Sequence, residues 1–101
     1  MFEHLVSFKF NENYTKEHER KLLDKIATFK AHIPGIVEIT AGVNTTGETE
    51  QIQGYTLGLR VTFQDEEALR AYGPHPVHRE YVQMLDGIID NVIVIDYEIT
   101  T

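Results

Sequence analysis

The chain has 101 residues, enough for one domain (residues 1–101) and too few for two independent cores. Hydrophobic residues make up 42 % and charged residues 25 %, the balance of a folded globular protein, and the lack of cysteine excludes disulfides, thiolate metal sites and a cysteine nucleophile. Lysine and arginine number 9 against 16 acidic residues, a formal net charge of −7 that repels phosphate backbones and anionic lipid, so neither nucleic acid nor a membrane surface is an expected partner.

Residues 2–10, FEHLVSFKF, alternate with period two: Phe2, His4, Val6, Phe8 and Phe10 share one face, and Glu3, Leu5, Ser7 and Lys9 the other. That is the pattern of a strand. Thr15 stands where a helix N-cap belongs, with Glu17 and Glu19 in the following turn. Leu22, Ile26, Phe29 and Ile33 then recur at helical spacing, and Pro34-Gly35 ends the helix. A second strand is expected over residues 36–43, with Val37, Ile39, Ala41 and Val43 on one side. The polar stretch NTTGETEQIQG has no core-forming period and reads as a mobile connection.

YTLGLRVTF, residues 55–63, is the cleanest strand, with Tyr55, Leu57, Leu59, Val61 and Phe63 on one face. Asp65 caps a short helix, EEALRAY; after a Gly-Pro corner another helix runs from Pro76 to about Leu85, and residues 91–99 form the last strand. The order is β-α-β-β-α-β with the second helix broken at Gly73-Pro74, which folds as a ferredoxin-like α+β domain: a four-stranded antiparallel sheet with its helices on one face. Leu5, Ile36 and one side of VIVI (92–95) would then be left on the open face, beside Thr40, Thr56 and Thr62. A second copy of the chain, packed on that face as a two-fold homodimer, is the expected cover.

The chemistry concentrates in AYGPHPVHREY, residues 71–81. His75 precedes Pro76, which suits the first helical position, so His75 becomes the N-cap and His78 falls in the first turn. The dipole there disfavours imidazolium, and a neutral imidazole is the form that accepts a proton. His78 lies on or beside the apolar line that carries Tyr81, and Tyr72 ends the preceding segment on its apolar side. Both rings are expected over one cavity, with His4 and Phe8 entering from the first strand, Leu57 from the third, and His75 and Tyr81 on its wall. A phenol and imidazoles in an apolar pocket make an acid/base set for a small carbonyl compound. Each residue also has a simpler reading: His4 as a packed histidine, Tyr72 with His78 as a hydrogen bond fixing the corner, His75 as a cap alone. His18 and His32, near the ends of the first helix, are expected in solvent.

No metal site is expected, because the proline between His75 and His78 spoils a regular pair and spacing dictates no third ligand. No glycine-rich phosphate cradle or nucleophile elbow is present, and no cofactor is implied. The N-terminal residues include Glu3, His4 and Lys9 and lack a signal-peptide core, and no apolar run approaches the roughly 20 residues that span a bilayer, so a cytoplasmic protein is expected.

HLVSFKF, IPGI, GYTLGLRVTFQDEEALRAY, HPVH and VIVIDYE, in that order from His4 to Glu98, resemble the stress-responsive A/B barrel (Dabb) family. The resemblance implies a dimeric α+β barrel of ferredoxin-like subunits. For activity it implies a stress-associated domain of undetermined molecular function. A plant branch includes a cofactor-free polyketide cyclase of aldol type, whose acid/base tyrosine and histidine fall on Tyr72 and His78, and whose first-strand pocket histidine falls on His4. This chain departs from that branch at Leu57, where the branch carries histidine.

Overall fold

Phe2–Phe10 forms β1, its alternation matched to a sheet with one buried face. The computed structural model describes residues 1–101, and continues with α1 (Lys16–Ile26), α2 (Phe29–His32), β2 (Ile36–Val43), α3 (Thr49–Ile52), β3 (Tyr55–Phe63), α4 (Glu66–Tyr72), α5 (Pro76–Met84) and β4 (Ile89–Glu98). The four strands lie in the order β2-β3-β1-β4, with every neighbouring pair antiparallel. This is the ferredoxin-like α+β arrangement. Val6 and Phe8 from β1 and Leu59, Val61 and Phe63 from β3 meet Leu22, Ile26 and Phe29 from the helices in one core. No helix is long and apolar enough to cross a membrane.

The helix starts follow the capping residues. Thr15 Oγ1 accepts from the His18 N–H at 3.2 Å, and His18 Nδ1 accepts in return from the Thr15 N–H at 3.0 Å. His18, expected in solvent, is thus half of a capping box. Asp65 Oδ1 accepts from the Ala68 N–H at the start of α4. His75 Nδ1 accepts from the Val77 N–H at 3.1 Å, with Pro76 at the first turn of α5.

Three expectations need correction. The first helix is not continuous to Ile33: it breaks at Ala27-Thr28, where both the Thr28 N–H and its hydroxyl are bonded to the Lys25 carbonyl, tightening the last turn. The 44–54 connection contains a short helix, α3. Ile36 does not face outward: a register shift between Ile36 and Glu38 pairs Ile36 with Phe63, buries it, and leaves Val37 exposed.

On the open face the strands align in rows. Glu38, Thr62, Glu3 and Tyr97 form one; Thr40, Arg60, Leu5 and Ile95 the next; Gly42, Gly58, Ser7 and Ile93 the third. Arg60 links Glu38 and Glu3, and Thr62 donates its hydroxyl to Glu3, which holds that carboxylate at 8 % exposure. The β4 end of the rows is apolar and uncovered, with Ile93, Ile95 and Tyr97 exposed.

Candidate functional site

The site is assembled by register and by the break between α4 and α5. Antiparallel pairing sets His4 opposite Asp96, Val6 opposite Val94 and Phe8 opposite Val92. These six side chains share the face that looks toward the helices. Above them, α4 ends at Tyr72, and α5 restarts at Pro76, hanging His78, Tyr81 and Leu85 over the strands. Between them is a mainly apolar cavity of about 470 Å³, within the roughly 300–1,000 Å³ range of small-molecule sites.

His78 Nδ1 lies 3.0 Å from the Gly73 carbonyl oxygen. A carbonyl only accepts, so Nδ1 carries the proton and the neutral ring keeps the Nε2 lone pair. Burial pushes the His78 pKa below its ordinary value, an effect opposed by the Gly73 hydrogen bond and reinforced by His4 and His75. Its ring centroid is 4.3 Å from that of Tyr72. The Tyr72 hydroxyl is buried without a hydrogen-bond partner in the chain, and burial raises its pKa, so it remains a neutral O–H donor. The corner is therefore fixed by His78 and Gly73 and not by a Tyr72–His78 hydrogen bond.

His4 Nδ1 donates to Asp96 Oδ1 at 2.5 Å, and the His4 ring meets Tyr72 edge-on at 5.3 Å. An imidazole held by a carboxylate has its tautomer and orientation set, as in metal and catalytic sites where a second group positions the histidine. The residues that line the hollow carry an unprotonated imidazole nitrogen on His78, a phenol without a partner on Tyr72 and an oriented second histidine, His4. No cluster of three or more His, Cys, Asp or Glu side chains is arranged to hold a metal ion.

His4, Phe8, Tyr72, His78 and Tyr81 all line this cavity. Leu57 and His75 do not. Leu57 pairs with Phe8 across the sheet and is buried in the core; it borders a separate hollow beneath α3, with Ser7, Gln51 and Tyr55. His75 folds back to cap α5 and borders a different depression beside Pro34 and Gly35. Sequence reasoning missed Asp96. The available signal was parity: in the last strand Val92, Val94 and Asp96 alternate on one face, so a carboxylate ends an apolar row.

Fold and site together define a ferredoxin-like α+β domain with a small-molecule-sized pocket between sheet and helices. The description Stress responsive A/B Barrel Domain matches residues 2–99, and the chain belongs to that family. It is 26 % identical over 98 residues to a stress-response A/B barrel domain-containing protein of Arabidopsis thaliana, covering 97 % of this chain and 86 % of that one. It is 23 % identical over 94 residues to the olivetolic acid cyclase of Cannabis sativa, covering 93 % and 92 %. Among solved structures, an Arabidopsis thaliana protein superposes with a TM-score of 0.87 at 29 % identity, over 100 % of this chain and 97 % of the other. A protein of unknown function from Jannaschia, described as dimeric and ferredoxin-like, superposes with a TM-score of 0.83 at 26 % identity, over 97 % and 98 %.

Proposed function

We propose that this protein is a single-domain, cytoplasmic homodimer that binds a small, mostly apolar carbonyl or aromatic molecule in the cavity under the α4–α5 break, without a cofactor. The observation that carries the reading is the pairing of a buried, unspent Tyr72 hydroxyl with a neutral His78 whose Nε2 is free, on the wall of a mainly apolar hollow. A buried polar group without a partner is costly, and a ligand carbonyl accepting from Tyr72 relieves that cost. Dimerisation is supported by the uncovered apolar row on β4 and by the dimeric description of the Jannaschia relative. Acetophenone is a suitable probe. Calorimetric titration should show saturable binding that weakens roughly tenfold in Tyr72→Phe, the loss expected for one hydrogen bond of about 1.4 kcal/mol. No saturable binding of acetophenone would overturn the reading.

The same geometry supports a second reading, a cofactor-independent acid/base enzyme, which agrees with the likeness to a cyclase. His78 Nε2 would take a proton from the carbon next to a substrate carbonyl. Tyr72 would donate to the oxygen on which negative charge develops, and His4, oriented by Asp96, would polarise the substrate. In D2O the wild-type protein should then speed deuterium uptake at the acetophenone methyl group, measured by proton NMR. His78→Ala should return that rate to the buffer value while leaving the melting temperature within a few degrees. Exchange at the buffer rate in the wild type would leave only the binding role.

A further inference from the structure

Tyr81, one of the residues that line the cavity, carries a buried hydroxyl that the acid/base set leaves unused. Tyr81, on α5, is 2 % exposed and its hydroxyl has no hydrogen-bond partner in the chain, the same condition as Tyr72 at 3 %. Packing alone does not explain it. A phenylalanine would fill the same space against Phe8 and Phe29, whose centroids lie 6.1 and 5.4 Å from the Tyr81 ring, without burying an unpaired O–H. His78 stands between the two phenols, its ring 4.3 Å from Tyr72 and 6.2 Å from Tyr81. Phe29 meets both phenols edge-on, so one aromatic group holds both rings in place.

We infer that Tyr81 supplies a second hydrogen-bond donor to the bound molecule, so that the site selects neutral, mostly apolar compounds bearing two oxygen acceptors. This rests on the binding role of the cavity argued above and adds its selectivity. Burial, followed by the nearby Tyr72 and Tyr14 hydroxyls, raises the Tyr81 pKa, so it stays protonated and can only be relieved by an acceptor. An anionic ligand is disfavoured by the charge around the hollow. Asp96 lies on its wall, the chain carries a net −7, and the one arginine on the rim, Arg70, is bonded to Glu66. A buried donor pair of this kind rejects analogues that lack the second acceptor, because the hydroxyl is then left unpaired.

The test compares 1,3- and 1,4-diacetylbenzene with 3′- and 4′-isopropylacetophenone, which keep the shape and replace one carbonyl oxygen by a methyl group. Calorimetry on the full chain should find at least one diacetyl compound bound about tenfold more tightly than its isopropyl partner. In Tyr81→Phe that preference should vanish while the isopropyl compound keeps its affinity within about twofold. A merely structural tyrosine would not change the ratio between two shape-matched ligands. The Tyr81→Phe melting temperature, expected at or above that of the wild type, shows whether the variant is folded. Equal binding of each matched pair by the wild type, or a preference that survives in Tyr81→Phe, would overturn the inference alone. Failure of acetophenone itself to bind would overturn the cavity reading and this inference together.

Discussion

At the scale of single residues, His78 ties the stability of the fold to pH. Its folded-state pKa lies below the ordinary 6.5, chiefly because burial penalises the imidazolium. Between the folded and unfolded values the unfolded chain binds the extra proton. Stability is therefore complete above about pH 6.5 and is lost as pH falls toward the folded pKa. Urea unfolding from pH 8 to 5 should show the wild type losing stability on the acid side more steeply than His78→Gln; parallel curves would show that His78 titrates alike in both states. Groups facing His78 include His4 on β1, Tyr72 on α4, His75 at the helix cap and Tyr81 on α5. The difference between variants is needed because two of these are histidines. At this scale the sequence singled out five side chains that share the cavity, His4, Phe8, Tyr72, His78 and Tyr81, but misplaced Leu57 and His75. Alternation assigns Leu57 to the correct face and is silent on position along the strand, which is why it is core and not cavity wall. The His4–Asp96 bond joins residues 92 positions apart, beyond the reach of any local pattern.

At the scale of elements, the turn from α2 into β2 depends on Gly35. Its φ is +87°, and a Cβ built there would lie 2.4 Å from the Ala68 Cβ on α4. Left-handed backbone costs a residue with a side chain about 1–2 kcal/mol, and overpacking adds about 1–3 kcal/mol. Gly35→Ala should therefore lower the unfolding free energy by about 2–5 kcal/mol in urea denaturation. Adding Ala68→Gly removes the clash and not the dihedral strain, so the double variant should lose less than Gly35→Ala. A double variant no better than the single one would show that α4 does not press on this turn. Helix ends were legible because caps act within a few residues: Thr15, Asp65 and His75 all bond to the next turn of their own helices. The Thr28 break and the shift at Val37 were not. The first turns on a threonine hydroxyl bonding back to Lys25, the second on how β2 registers against β3. Periodicity within one segment contains neither.

For the whole molecule, β4 is the element on which the proposed assembly face and the proposed binding cavity meet. It is an edge strand with apolar residues on both sides: Val92, Val94 and Asp96 line the cavity, and Ile93, Ile95 and Tyr97 end the rows of the open face. The strand parity that divides them means that one residue can be changed on the assembly side without touching the site. In a two-fold interface each such residue appears twice, so a charge placed there introduces two unpaired buried carboxylates. Ile95 is 55 % exposed in the single chain, so Ile95→Glu leaves the subunit's own core intact. Light scattering after gel filtration should find the wild type as a dimer and Ile95→Glu as a folded monomer. That monomer should still bind acetophenone, because Tyr72 and His78, the groups proposed to hold it, line the cavity within a single chain. A monomeric wild type, or an Ile95→Glu dimer, would remove the open face as the assembly surface. A folded monomer that no longer bound acetophenone would instead show that the second copy braces the cavity through β4, leaving the two faces of that strand mechanically coupled despite their separation by parity.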